Sequence, residues 1–129
     1  MICLKKYCAI ISVIYDTVYF AVPGRVEDLS LIPGSHNISV NWKKPNLNSY
    51  CVTQYVIYWV HTLSGSKNSS IVSSEENFLV IEDLDACVGY EVSVTAVNEK
   101  NNDTSDPATC NTTTETAGNY HAQIILLYL

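Results

Sequence analysis

The side chains with the most chemical capacity in this sequence are five cysteines, three histidines and four asparagines placed two residues ahead of a hydroxyl. Cys3, Cys8, Cys51, Cys87 and Cys110 form no Cys-X-X-Cys pair, and no histidine stands at zinc-ligand spacing from them. Their type and spacing therefore point to disulfides rather than to a metal site. Five is odd, so at least one thiol is left over for another chain or for burial as a small hydrophobe. His36, His61 and His121 are scattered, and the sequence holds no Gly-X-Ser-X-Gly, His-Glu-X-X-His or P-loop string. The expectation is a chain with no catalytic, cofactor-binding or metal-binding residues and no enzyme activity. Asn37, Asn68, Asn102 and Asn111 each open an Asn-X-Ser/Thr sequon. About two such tripeptides would arise by chance in a chain this rich in Asn, Ser and Thr. The excess points to glycosylation and an extracellular, secreted or cell-surface location.

Charge narrows the partners. The formal net charge is −6, and nine of the thirteen acids lie between Glu75 and Asp106, where Lys100 is the only base. Nucleic-acid recognition needs clustered Lys and Arg to displace counterions, and the only basic doublets are Lys5-Lys6 and Lys43-Lys44. Nucleic acid, heparin and anionic membrane surfaces are excluded as natural partners; a protein partner is expected.

The two ends differ from the middle. Residues 1–22 open with Lys5 and Lys6 and continue into an apolar run, the layout of a secretory signal or an anchor-like segment. Asp16 cuts that run short, and the stretch after it offers only an indistinct cleavage site. The apolar tail, 117–129, has too few residues for a membrane span, which takes about 20. Neither end is expected to be tied firmly to the core.

Any chemistry must be positioned by the region between, 23–116, where 129 residues leave room for one domain. Its signal is period-two alternation, broken by Gly, Pro, Asn and Ser every 8–12 residues or so. Strands are predicted at 26–32, 37–43, 53–61, 68–73, 77–82, 89–98 and 108–115. Seven strands that each hide one face fit an all-β, two-sheet antiparallel sandwich. Ile38, Val40 and Trp42 share an inner face, as do Tyr90, Val92, Val94 and Ala96. The third strand is apolar on both faces, so Val56, Tyr58 and Val60 form a candidate contact face.

These residues resemble the fibronectin type III family over 23–116. The landmarks are Pro23 ahead of the first strand, Trp42 in the second, Pro45 after it, Tyr55-Val56-Ile57 in the third, and Leu84 followed by Tyr90-Glu-Val-Ser-Val-Thr-Ala-Val-Asn98. The resemblance implies an immunoglobulin-like sandwich with Trp42, Tyr55, Leu84 and Tyr90 as structural core. Tyr90 would form a tyrosine corner, its hydroxyl bonded to backbone just upstream. Ala86 and Val88 stand where the family commonly has Pro and Thr, with Cys87 between them. A true immunoglobulin domain would instead carry cysteines on the second and sixth strands and Trp on the third.

That topology brings the starts of the third and seventh strands to one pole, and so implies a Cys51–Cys110 disulfide. Cys87 falls at the other pole and is left for an intermolecular disulfide, or for Cys3 or Cys8. The loop between strands six and seven, 99–106, lacks the Arg-Gly-Asp tripeptide with which some family members bind integrins. The function implied is extracellular recognition or adhesion without catalysis. The alternatives are a structural spacer, a lone secreted effector, or a fragment of a receptor ectodomain. For the last, the Cys51, Cys87 and Cys110 arrangement is similar to repeats of insect-type receptor tyrosine phosphatases.

Overall fold

The computed structural model describes residues 22–117 and, before them, the backbone of the strands β1 (Ile2–Leu4), β2 (Ala9–Ser12) and β3 (Thr17–Phe20). These three pair as an antiparallel meander, with Ile2 opposite Ile11 and Ala9 opposite Phe20. The expected apolar tail lies outside the described residues from 118 onward, as does Cys8. The leader or anchor expected at 1–22 is described only in those three backbone segments.

Eight further strands follow: β4 (Glu27–Pro33), β5 (Ile38–Lys43), β6 (Gln54–His61), β7 (Lys67–Ser73), β8 (Phe78–Ile81), β9 (Gly89–Asn98), β10 (Asp103–Thr104) and β11 (Ala108–Thr113). One sheet has the order β4-β5-β8, and the other runs β7-β6-β9 with β10 and β11 both paired to β9. Alternation places one side of every strand in the interior. Ile38, Val40 and Trp42 of the first sheet meet Tyr55, Ile57, Val92, Val94 and Ala96 of the second, all buried. Trp42 and Tyr55 pack edge to face at 5.4 Å across the sheets.

The expected seventh strand, 108–115, is β11, and a short eighth strand inside the expected loop, β10, precedes it on the same partner. Asp103–Thr104 pairs with Val97 and Asn98, and Ala108–Thr113 pairs with Gly89 to Val94, one residue out of step. The break has a chemical cause. Pro107 has no N–H to donate, and the Ser105 hydroxyl takes the Ala96 N–H at 2.9 Å and donates to Asp106 O at 2.9 Å. A side chain thus substitutes for the backbone acceptor of a continuous ladder. A second irregularity sits in β4, where the register to β5 shifts between Glu27 and Ser30 around Asp28, whose φ is 49°.

The module's ends leave from opposite poles. Gly24 N–H donates to Leu47 O, and Asn48 Nδ2 donates to Val22 O, fastening the entry. At the exit, Glu115 N–H donates to Gly34 O while Glu115 O accepts from Cys87 N–H, joining the two sheets.

Candidate recognition surface

Strand β6 is the centre of its sheet, so the side chains it turns outward meet neighbours on both sides. Tyr58, 48% exposed, is opposite Ser69 on β7 and Ser93 on β9. Val56 is opposite Ile71 and Thr95, and Val60 is opposite Lys67 and Glu91. Ile71 is 61% exposed. The structure thus brings together the three residues expected from sequence and adds Ile71, forming an apolar strip of Val56, Tyr58 and Ile71 in a field of hydroxyls. That field is tied internally, with Ser93 Oγ 3.1 Å from Thr109 Oγ1. An aromatic ring with a polar tip on a rigid sheet suits protein contact, because it supplies large area at low entropic cost.

At the exit pole the chemistry is structural. Tyr90 is buried and its hydroxyl accepts the Asp85 N–H at 2.9 Å, the tyrosine corner that the sequence implies. Leu84 is buried beneath it, with its N–H donating to His36 O and its carbonyl accepting from His36 Nδ1–H at 2.9 Å. Thr114 closes the same loop: its hydroxyl donates to Asp85 O at 2.6 Å and accepts the Val88 N–H at 3.0 Å. His61 stacks edge-on to Tyr90 at 5.3 Å. Its Nδ1 accepts the Ser64 N–H at 3.1 Å, which leaves Nε2–H to donate to Asp85 Oδ2 at 3.0 Å. Both ring nitrogens are thereby committed, so the Asp–His pair orients a loop and presents no nitrogen to a nucleophile. A cleft of about 350 Å³ opens beside it, lined by Trp59, Asn68, Glu82, Asp83 and Tyr90 among others. Among the described residues no group of three or more His, Cys, Asp or Glu is placed to hold a metal ion.

The cysteines are placed otherwise than expected. Cys51, Cys87 and Cys110 are all thiols, buried, exposed and half-buried respectively. Cys110 is opposite Val92 on β9, whereas the chain just after Cys51 meets β9 at Val97. Those five residues span about 17 Å of strand, far beyond the roughly 7 Å between Cα atoms that a disulfide bridges. The expected Cys51–Cys110 bridge is not formed in this structure. Cys110 is the third residue of β11, which begins opposite Val94 because the pole end of β9 is taken by Asp103–Thr104. Cys87 sits in a turn at φ 56°, its N–H bonded to Glu115 O.

All four sequon asparagines are exposed: Asn37 beside the exit pole, Asn102 in the turn after β9, Asn68 on edge strand β7 and Asn111 on β11. Burial of Tyr55 raises its phenol pKa above the ordinary 10.0, and the nearby Glu75 carboxylate adds to the shift. The residues that sequence reasoning missed are polar clasps: His36, Thr53, Ser105 and Thr114. Thr53 Oγ1 donates to Val97 O and accepts from Glu99 N–H. No local motif marks such residues: the partners of His36, Thr53 and Thr114 lie dozens of positions away, and Ser105 reaches back nine residues to Ala96.

A tyrosine corner, Trp on the second strand and a three-plus-five sheet arrangement define a narrow class of sandwich. The family model described as fibronectin type III domain matches residues 24–111. The chain belongs to the fibronectin type III family. Solved fibronectin type III domains share its fold. The fn3 domain of human collagen alpha-1(XX) chain is 21% identical with a TM-score of 0.63, covering 74% of this chain and 90% of that one. The FN5 domain of Drosophila Lar is 22% identical with a TM-score of 0.60, covering 74% and 100%. A two-domain fibronectin type III segment of chicken tenascin is 20% identical with a TM-score of 0.67, covering 76% of this chain and 54% of that one. No curated protein matches the sequence. Fibronectin type III domains are common modules of adhesion proteins and receptors, typically without catalysis and mostly extracellular. Among the described residues no helix is long and apolar enough to cross a membrane.

Proposed function

We propose that this fibronectin type III module is an extracellular protein-recognition unit, without catalysis of its own, that meets its partner through the outer face of β6. The observation that carries the reading is the Val56–Tyr58–Ile71 strip, which leaves an aromatic ring about half exposed at the centre of a rigid sheet. Such a ring contributes little to folding and much to an interface, where aromatic anchors dominate binding energy. Exposure of all four sequon asparagines supports the extracellular placement, since each is open to a glycan.

The test is binding of the secreted full chain and its Tyr58→Ser variant to a panel of cell-surface and matrix proteins. Loss of one interaction on substitution, with the thermal midpoint unchanged, is the expected result. Binding indifferent to Tyr58, or none across the panel, would overturn the reading. A spacer role has one observation in its favour, the exits at opposite poles, which suit a unit that sets distance along a chain. An empty panel would favour it.

A further inference from the structure

Among the described residues, strand β7 pairs with β6 alone and is one edge of the five-stranded sheet. His61 N–H donates to Ser66 O and Ser74 N–H donates to Thr53 O, and the ladder between them runs in unbroken register from Gln54–Ser73 to Val60–Lys67. Antiparallel alternation then turns the main-chain groups of Asn68, Ser70 and Val72 toward β6, and those of Lys67, Ser69, Ile71 and Ser73 toward the open edge. Natural edges are commonly guarded by short length, charge, proline or a bulge. The edge strand of the other sheet, β8, is short and is bracketed by Glu75-Glu76 and Glu82-Asp83. By contrast β7 is seven residues long, has no proline or bulge, and carries its single charge at its first residue, Lys67.

We propose that two copies of this chain join edge to edge through β7, antiparallel about a two-fold axis at Ile71. In that register Ile71 faces Ile71 of the other copy and Ser69 faces Ser73 in both directions. Lys67 comes opposite Glu75, so two complementary ion pairs close the ends of the shared ladder. The exposed Ile71 side chains pack against each other as a cross-strand apolar pair. The result is one continuous sheet, an isologous contact that closes on itself rather than growing. This goes beyond the recognition reading and does not depend on it, because edge pairing uses main-chain groups and leaves Tyr58 on the open face. Asn68 lies on the same strand, and a glycan there would stand beside the ladder, so the pairing belongs to the form without that sugar.

The experiment is sedimentation equilibrium of the full chain carrying Asn68→Gln, over a range of concentrations. A dimer is expected. Adding Ile71→Lys places like charges against each other at the two-fold and should weaken association at least about tenfold. Ile71→Glu should do the same, and an equimolar mixture of the Lys and Glu variants should restore the dimer. Amide exchange gives an independent readout: Ser69 and Ile71 gain protection with concentration, while Ser70 and Val72, already bonded to β6, do not change. Tyr58→Ser leaves the dimer mass unaltered, so failure of this proposal and failure of the recognition reading are told apart. A monomer at all concentrations, or a dimer indifferent to both charges at residue 71, would overturn it.

Discussion

The two faces of β6 are built from one run of eight residues, Gln54–His61, yet they meet different surroundings. Inward, Tyr55 and Ile57 are about as buried as side chains become, at 1% and 0% exposure, and pack under both sheets. Outward, Val56 and Tyr58 lie opposite Ile71, Thr95, Ser69 and Ser93, and Val60 lies opposite Lys67 and Glu91. A strand apolar on both faces in a sheet with one face open to solvent has more apolar surface than folding requires. That surplus is the ground on which the outer face is proposed as the recognition surface.

Substitutions sharpen that contrast, and the largest effect belongs inside. Ile57→Ala should cost about 2–5 kcal/mol by leaving a cavity in a core that cannot collapse around it; urea unfolding reads this directly. Tyr90→Phe keeps the ring and removes the acceptor of the Asp85 N–H, so a loss of about 1–2 kcal/mol is expected, again by urea. Cys87→Gly should move stability the other way, by up to about 1 kcal/mol, because a β-carbon is strained at its φ of 56°. The thermal midpoint would rise.

Alkaline pH separates the faces in another manner. The folded state holds the Tyr55 proton more tightly than the unfolded chain does, chiefly through burial. Its contribution is complete below the ordinary tyrosine value of 10.0 and is lost as pH rises through the higher folded pKa. Stability should therefore fall above about pH 10, and Tyr55→Phe should flatten that fall. The smallest effect is predicted outside: Tyr58→Ser should change stability by no more than about 0.5 kcal/mol.

Most of the sandwich was legible in the sequence because burial on one face of a strand leaves a period-two trace. Ile38-Val40-Trp42 and Tyr90-Val92-Val94-Ala96 show it, and each lies buried where the alternation puts it. The apolar outer side of β6 was legible for the complementary reason, that Val56 and Tyr58 break the alternation. Ile71 was not, since a lone isoleucine among serines gives no pattern until register sets it beside Val56. The cysteine pairing failed on where the last strand begins: β11 starts opposite Val94, so Cys110 lies well away from the pole that holds Cys51. Nothing in the 99–106 stretch announces that Asp103–Thr104 will pair with the end of β9, or that a serine hydroxyl will take the Ala96 N–H before the last strand begins. The clasps made by His36 and Thr114 were invisible for the same reason, being defined only by partners distant in the chain.

The most direct test of the division between faces is surface display of the full chain with each residue of β6 substituted in turn by serine. Display level reports folding and partner capture reports binding in the same cells. Serine at Tyr55 or Ile57 should abolish display, whereas serine at Val56, Tyr58 or Val60 should preserve display and lose capture, giving two out-of-phase patterns of period two. Display and capture falling together along the strand, or capture untouched by every outward substitution, would contradict the account.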